Sequence, residues 1–365
     1  MRNIKTRSKK NKLFQGNESN RYNHISISLE DKITFLKFPQ TYIEKPNKVE
    51  VIETHMSWVF LTQDFVYKLK KPVRSDSLDY STVLKRKKNC HTEILLNKRL
   101  APDIYLGITP ITVDKIGKLT LEGKGKVVDW LVKMRRLPRQ YMLDYAIQNQ
   151  TVKNIDIINF TKVLSKFYIE TNQIRMTSAD YCSRFEKGIL KNCEEISSPQ
   201  YQLSKNLINS ISTNQLDFLM KNNECLAQRA IDNKIVDAHG DLRPEHICLL
   251  KEPVIIDCLE FSRELRILDP VDELSFLALE CERLGSSFVG KRVLEIYSNT
   301  TNDFPPVKLI HFYKSYRACV RAKLAIWHLK DSQVLDRAKW VDRANEYLNL
   351  ATKYAHKLNL VVHAY

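Results

Sequence analysis

The sequence predicts an α+β fold with a sheet-rich N-terminal lobe and a helical C-terminal lobe. Two observations lead to this prediction. Short runs rich in aromatic and β-branched residues, separated by turn residues, fill the first third of the chain. Residues 140–230 contain one glycine and one proline, Gly188 and Pro199, in long segments with helix-like spacing. The lobes are therefore predicted over 26–137 and 138–365.

The elements of the N-terminal lobe follow from residue type. SWVFLT and FVYKLK predict two strands joined by a turn at Gln63 and Asp64. The chain from Ser81 to about Leu100 has no Gly or Pro, which predicts a helix that Ser81 can cap. IYLGITPITV, KLTLEG and VVDWLVKMRRL predict three further strands, with turns at DKIGK and GKGK.

The C-terminal lobe is predicted as helices interrupted by one small hairpin. Two short β-like pieces, KIVDAH and PVIID, flank the segment HGDLRPEHICLL at residues 239–250. From Val271 onward the chain again has helical character, and an amphipathic helix is predicted near 335–358.

Composition restricts location and partners. Residues 1–22 hold seven Lys or Arg against one Glu, so a disordered basic tail is predicted over 1–25. Eight scattered cysteines without a C-x-x-C pair predict reduced thiols in a cytoplasmic protein. No apolar run approaches the roughly 20 residues of a membrane span, which excludes a membrane partner.

The net charge of +16 has two interpretations. A basic surface favours nucleic acid, because binding releases counterions from phosphate. It equally suits a solvated surface that prefers polyanionic ligands such as nucleotides. No zinc module or RNA-binding signature accompanies the charge, so nucleic acid is the less favoured partner.

The segment HGDLRPEHICLL carries the strongest chemical signal. Kinase-type loops have His-x-Asp followed after four residues by Asn. Asp241 is placed to orient or deprotonate a hydroxyl, and His239 to hold the loop in shape. Asp257 follows an apolar strand sixteen residues later, as expected of a metal-chelating carboxylate. The Asn position holds His246, whose imidazole would weaken a Mg²⁺ site, shift it toward Mn²⁺, or form a hydrogen bond with another group instead.

A second constellation lies in the N-terminal lobe. Lys68 and Lys70 are two residues apart on a predicted strand, so both project from the same face. Either lysine can bind nucleotide phosphates if a carboxylate holds it in place. Glu93, on the following helix, is the candidate for that ion pair.

Several segments together resemble the aminoglycoside phosphotransferase-like kinase family, in its bacterial branch often fused to a P-loop ATP-binding domain. They are ETHMSWVFLTQDFVYKLKKPV, APDIYLGITPI, VKMRRLP, HGDLRPEHICLL and IIDCLEFSRELRILDPVDELSFLALECERLG, within residues 45–330. The chain has no G-x-x-x-x-G-K-[ST] motif, so it would correspond to the kinase-like half, with a separate P-loop protein as a potential partner.

The resemblance implies a two-lobed protein-kinase-like fold with ATP and a divalent cation, Mg²⁺ or Mn²⁺, in the cleft between the lobes. It implies ATP-dependent phosphorylation of a hydroxyl on a small molecule. The hinge strand that holds adenine would include Met134, Arg135 and Leu137. Ser57 and backbone groups would replace a Gly-rich lid over the phosphates, and Asp272 would brace the C-terminal lobe through the catalytic loop.

Weaker candidates and one alternative function remain open. Arg243, Glu260 and Arg321 are candidates for substrate contacts. Arg317, Arg321 and Lys323 more simply form the solvated face of a helix. His246 also permits a second interpretation, a nucleotide-binding pseudokinase that regulates a partner with little or no turnover.

Overall fold

A computed structural model describes residues 26–75, 78–330 and 336–358. The predicted basic tail lies outside these residues. The chain begins with helix α1 (Leu29–Lys37), which the sequence analysis did not predict. Ser28 caps this helix by accepting a hydrogen bond from the backbone N–H of Asp31.

The N-terminal lobe is built on a six-stranded antiparallel sheet in the order β1-β2-β3-β8-β6-β7. Its strands are β1 (Glu50–Glu53), β2 (Ser57–Leu61), β3 (Phe65–Lys70), β6 (Tyr105–Val113), β7 (Leu119–Leu121) and β8 (Lys126–Arg135). Two short strands, β4 (Arg74–Ser75) and β5 (Leu78–Asp79), form a separate pair. The predicted strands of this lobe are therefore present.

Helix α2 (Val83–Asn97) follows this pair. The prediction that Ser81 caps it is wrong, because the Thr82 hydroxyl accepts from the N–H of Lys85 and Ser81 instead donates to Asp79. Adjacent hydroxyl residues cannot be separated as caps by sequence, since the choice depends on where the backbone turns helical.

Buried groups fix α1 and α2 against the sheet. The carboxylate of Asp129 on β8 accepts from Lys32 of α1 at 2.8 Å and from Arg86 of α2 at 2.8 Å. All three side chains are almost fully buried, so each charge has its partner inside the lobe. The position of α2 over the sheet places Glu93 beside β3.

The C-terminal lobe consists of eight α-helices among the described residues. They are α3 (Leu143–Gln148), α4 (Asn154–Glu170), α5 (Ser178–Ile196), α6 (Lys205–Ile231), α7 (Pro270–Arg283), α8 (Ser287–Thr301), α9 (Val307–Trp327) and α10 (Arg337–Leu358). Helix α7 is central, because every residue from Pro270 to Cys281 is buried. The prediction of a sheet-rich lobe followed by a helical lobe is confirmed.

Four two-residue strands surround the segment 239–250. They are β9 (Val236–Asp237), β10 (Ile247–Cys248), β11 (Val254–Ile255) and β12 (Ile267–Leu268). The predicted hairpin between KIVDAH and PVIID is wrong, since β9 pairs with β12 and β11 pairs with β10. Strands of two residues carry no periodic signal, so their partners are decided by tertiary packing.

No described helix has both the length and the apolar character that a membrane crossing requires.

Candidate active site

The candidate catalytic loop, residues 239–246 and called the catalytic loop below, begins one residue after β9 and ends in a 3₁₀ turn. Gly240 has a φ of +90°, which glycine adopts without the strain that a side chain causes. A Cβ atom there would lie 2.9 Å from Cγ of Arg266, so space is also lacking. The turn between His239 and Asp241 therefore requires glycine.

His239 lies completely buried beneath the loop. Its Nε2 is 2.9 Å from the carbonyl oxygen of Ile256, and its Nδ1 is 3.3 Å from the backbone nitrogen of Asp241. Because a carbonyl only accepts and an amide N–H only donates, the ring is neutral with its proton on Nε2. Burial lowers the pKa of His239 to about 4, and the neighbouring His246 acts in the same direction.

Glu273, in the first turn of α7, holds the loop from below. Its carboxylate accepts from the N–H of Gly240 at 2.5 Å, from the N–H of His239 at 3.2 Å and from the hydroxyl of Tyr168 at 2.7 Å. Burial raises the pKa of Glu273 above its usual value. Sequence reasoning missed this residue, although an acidic side chain in a first helical turn was a usable signal.

Asp272 braces the C-terminal lobe as expected, but the expected contact with the catalytic loop is wrong. Asp272 instead accepts from Nε of Arg317 at 2.7 Å and so ties α7 to α9. Neighbouring residues on a helix point about 100° apart, so only one of two adjacent carboxylates can face the loop.

The solvated face expected on α9 is also wrong for its two arginines. Arg317 is bound to the buried Asp272, and its side chain is 13% exposed. Arg321 donates to the buried carboxylate of Glu280 at 3.0 Å and to the hydroxyl of Tyr347 at 3.3 Å. Arg321 does not line the cleft described below, whereas Arg243 and Glu260 do.

Asp241 presents its carboxylate beside Arg243. The Nε of Arg243 donates to Oδ2 of Asp241 at 3.1 Å, and the side chain of Asp241 is 30% exposed. Burial alone would raise the pKa of Asp241, but the surrounding positive charges together, that of Arg243 first, outweigh it and the pKa lies below the usual value. Asp241 is therefore ionised at neutral pH.

His246 lies between the two aspartates. Its Nδ1 is 2.8 Å from the carbonyl oxygen of Asp241, and its Nε2 is 3.0 Å from Nη2 of Arg243. A carbonyl only accepts and a guanidinium only donates, so the imidazole is neutral and its proton is on Nδ1. Nε2 also lies 3.6 Å from Oδ2 of Asp257.

Asp257 follows β11 with a φ of +61°, a conformation uncommon outside glycine and enriched at functional sites. Its N–H donates to the hydroxyl of Tyr105 at 3.1 Å, and its Oδ1 accepts from Nζ of Lys68 at 2.8 Å. Burial raises the pKa of Asp257, but the surrounding charges, that of Lys68 first, and the hydrogen bond from Lys68 together keep it well below the usual range. The side chain remains 43% exposed.

Both lysines of β3 bind the same helix carboxylate. Glu93 accepts from Lys68 at 3.0 Å and from Lys70 at 2.5 Å, and Lys70 also binds Glu260 at 2.6 Å. Burial works against both ammonium groups, yet these carboxylates and Asp257 raise the pKa of Lys68 and Lys70 above the usual value. The side chain of Lys70 is 1% exposed, and that of Lys68 is 15% exposed.

A cleft of about 630 Å³ between the lobes joins these groups. Its lining includes Ser57, Lys68, Met134, Arg135, Leu137, Asp241, Arg243, His246, Asp257 and Glu260. A larger cavity of about 930 Å³, lined in part by Arg99 and Lys162, contacts neither aspartate. The smaller cleft is therefore the candidate active site.

At the end of β8, which borders this cleft, two backbone N–H groups already donate hydrogen bonds within the protein. The backbone N–H of Arg135 donates to the carbonyl of Ile104 at 2.9 Å, and that of Arg136 donates to Asp64 at 2.8 Å. An adenine ring that accepts a hydrogen bond from this segment would therefore need the next backbone N–H along the chain, that of Leu137.

Among the described residues, no group of three or more His, Cys, Asp and Glu is arranged to hold a metal ion. Asp257 and His246 therefore form at most a two-residue donor set. Mg²⁺ commonly takes only one or two protein carboxylates together with phosphate oxygens and water.

Comparison with solved structures identifies the fold. Choline kinase from Cryptosporidium parvum Iowa II is 11% identical with a TM-score of 0.53, over 90% of this chain and 96% of the other. An AMP-bound complex of spectinomycin phosphotransferase is also 11% identical, with a TM-score of 0.51, over 92% and 100%. The chain has the fold of these two kinases. The resemblance found in the sequence is thus confirmed at the level of the protein-kinase-like fold.

The curated relatives that match the chain are longer than the chain. Uncharacterized proteins of Mycobacterium tuberculosis and Mycobacterium bovis are 31% identical over 312 residues, which is 83% of this chain. The matched region spans 60% of the length of these relatives. No protein-family model matches the chain.

Proposed function

We propose that the chain is a member of the aminoglycoside phosphotransferase-like kinase family and transfers the terminal phosphoryl group of ATP to a hydroxyl of a small molecule. One observation carries the proposal. Asp241, Asp257 and Lys68, which are far apart in the sequence, meet in the single cleft between the lobes. A carboxylate for the hydroxyl, a carboxylate for metal and a cation for the phosphates are the parts that phosphoryl transfer needs.

The nucleotide would enter with its base at the hinge strand and its phosphates toward Lys68. The adenine edge would contact backbone groups between Met134 and Leu137. Lys68 is the better candidate for the phosphates, because Lys70 is enclosed by Glu93 and Glu260 and does not line the cleft. Glu93 would keep Lys68 in position.

A divalent cation fits the charge of this site. Ion pairs connect five carboxylates and three cations, which leaves two negative formal charges. The carboxylates are Glu93, Asp241, Glu245, Asp257 and Glu260, and the cations are Lys68, Lys70 and Arg243. Phosphate oxygens close to Asp241 and Asp257 would be repelled by these two carboxylates, so a divalent ion such as Mg²⁺ or Mn²⁺ is expected to accompany them. Asp257 would hold it, and it would neutralise charge on the phosphate oxygens.

Asp241 would orient the acceptor hydroxyl and accept its proton. The lowered pKa keeps the carboxylate ionised, so its main contribution would be position and charge. The carboxylate is fixed by Arg243, and its loop is fixed by the bonds to Glu273. The acceptor itself is not specified by these contacts.

Calorimetric titration of ATP, first with Mg²⁺ and then with Mn²⁺, tests the nucleotide site. In Asp257→Ala we expect the metal-dependent part of the affinity to fall at least about tenfold, because the metal carboxylate is lost. Asp217→Ala is the matched control, since Asp217 is paired with Lys221 on the surface of α6 and does not line the cleft.

Other outcomes of this titration have definite meanings. Metal-independent binding that Asp257→Ala leaves unchanged would favour a nucleotide-binding regulatory module with little turnover. Absence of ATP binding by the wild-type protein would reject the kinase proposal.

The lysine assignment has its own test. Lys68→Met should weaken ATP binding about tenfold or more, since a charged contact to phosphate is lost. Lys70→Met should chiefly lower the free energy of unfolding, because it removes one partner from a buried ion-pair cluster. Equal loss of ATP affinity in both variants would contradict the assignment.

Three expectations from the sequence stay predictions. They are a cytoplasmic location, a separate P-loop protein as a partner and the minor role of nucleic acid.

A further inference from the structure

Arg243 uses all three nitrogen atoms of its guanidinium on the candidate site. Its Nε donates to Asp241 at 3.1 Å, its Nη1 to Glu245 at 2.8 Å and its Nη2 to His246 at 3.0 Å. Its side chain is 20% exposed and lines the cleft. The guanidinium thus lies between Asp241, the proposed catalytic aspartate, and His246, which occupies the position where kinases have a metal ligand.

The hydrogen bond from Arg243 prevents His246 from acting as a metal ligand. A neutral imidazole has one ring nitrogen with a free lone pair, and in His246 that nitrogen is Nε2. The lone pair accepts a hydrogen bond from Arg243. A metal ion at this nitrogen would have to displace a guanidinium that two carboxylates also hold. In protein kinases the Asn at this position instead holds a second Mg²⁺.

We infer that Arg243 takes the place of the second metal ion and binds the phosphoryl group during transfer, while one divalent ion at Asp257 suffices. The inference rests on the proposed kinase function. A guanidinium is permanently charged, and its fork of N–H donors matches the spacing of phosphate oxygens. Its location between Asp241 and His246 places this charge where the second metal would otherwise neutralise the phosphate.

The chemical step balances without a further reactant. The acceptor oxygen forms a bond to the γ-phosphorus, and the bond from this phosphorus to the β–γ bridging oxygen breaks with its electron pair left on ADP. The hydroxyl proton passes to Asp241 and then to solvent. Arg243 gains and loses no proton, since its role is electrostatic.

The first measurement compares AMP-PNP with ADP, because only AMP-PNP carries the group that Arg243 would contact. In Arg243→Ala we expect the affinity for AMP-PNP to fall about 10- to 100-fold, the value of a charged hydrogen bond, with ADP affinity within about threefold of wild type. Arg243→Lys keeps the charge but not the fork and should show a smaller loss for AMP-PNP. Arg343→Gln, which changes the net charge equally on the surface of α10 and away from the cleft, should leave the ratio of the two affinities unchanged.

The second measurement counts metal ions without any turnover. Titration of Mn²⁺ followed by electron paramagnetic resonance, with AMP-PNP saturating, should give one bound ion per wild-type protein. In Arg243→Ala the lone pair of His246 is released, and a second, weaker Mn²⁺ should bind.

Two results would overturn the inference while the kinase proposal stands. These are two Mn²⁺ ions in the wild-type protein, or an equal loss of ADP and AMP-PNP affinity in Arg243→Ala. Wild-type protein that binds neither nucleotide would reject the proposed function itself, and the inference with it.

Discussion

Replacement of Glu273 by Gln tests whether α7 holds the catalytic loop. One carboxylate oxygen accepts from the N–H of Gly240, and the other accepts from the N–H of His239 and the hydroxyl of Tyr168. Glutamine keeps one acceptor oxygen and turns an NH₂ group toward the remaining N–H. A hydrogen bond to a charged group contributes about 1.5–3 kcal/mol, and an unsatisfied buried donor adds to the loss.

Glutamine also removes the buried negative charge of Glu273. This removal offsets part of the cost, because burial disfavours the charged carboxylate and raises its pKa. We therefore expect Glu273→Gln to lower the free energy of unfolding by about 2–3 kcal/mol in urea titrations. Hydrogen exchange should show faster exchange of the amides of His239 and Gly240 than in the wild-type protein.

Asp272→Asn is the matched control at the adjacent position. It weakens the contact to Arg317 and should also destabilise the protein, but it should leave the two loop amides protected. If Glu273→Gln changes the free energy of unfolding by less than about 0.5 kcal/mol, or leaves exchange of the loop amides unchanged, the bracing argument is refuted.

Two further predictions concern the same loop. Burial lowers the pKa of His239 to about 4 from 6.5, so its contribution to stability is complete above pH 6.5 and is lost as the pH falls toward 4. Between pH 7.5 and 5.0 the wild-type protein should lose about 2 kcal/mol more unfolding free energy than His239→Gln, and equal losses would contradict this. Gly240→Ala should destabilise by about 1–3 kcal/mol through its positive φ and more through contact with Arg266. Gly117→Ala, at a φ of +88° with nothing within 4 Å, isolates the backbone cost in the same urea titrations, and equal effects would exclude the contact.

The strands of the N-terminal lobe could be predicted because aromatic and β-branched residues fill them and turn residues separate them. Both signals are local and visible in sequence. Leu131 and Val132 are consecutive on β8, and they pack in the two cores on opposite faces of the sheet. Helix α1 was missed because it has only nine residues and buries two apolar side chains, Ile33 and Leu36, which is too short a pattern to recognise.

The contact between Lys68 and Glu93 could be anticipated, because strand periodicity fixes the side of the sheet on which a residue lies. Which lysine faces the cleft could not be anticipated, since Lys68 and Lys70 have the same parity. Lys70 is more buried than Lys68 because Glu260, three residues after Asp257 in the other lobe, binds its ammonium group. A local pattern carries no information about a partner 190 residues away.

The catalytic loop shows the same limit within a few residues. Its spacing alone marks His246 as a metal ligand, and imidazole chemistry then suggests a change of metal. The structure gives the nitrogen a different occupant, because Arg243 donates to it at 3.0 Å. An asparagine at position 246 would leave the guanidinium of Arg243 bound to Asp241 and Glu245, so that substitution alone does not recreate a kinase-type metal site. The role of position 246 is therefore determined jointly by Arg243 and His246, so the number of metal ions in this site depends on both residues and not on position 246 alone.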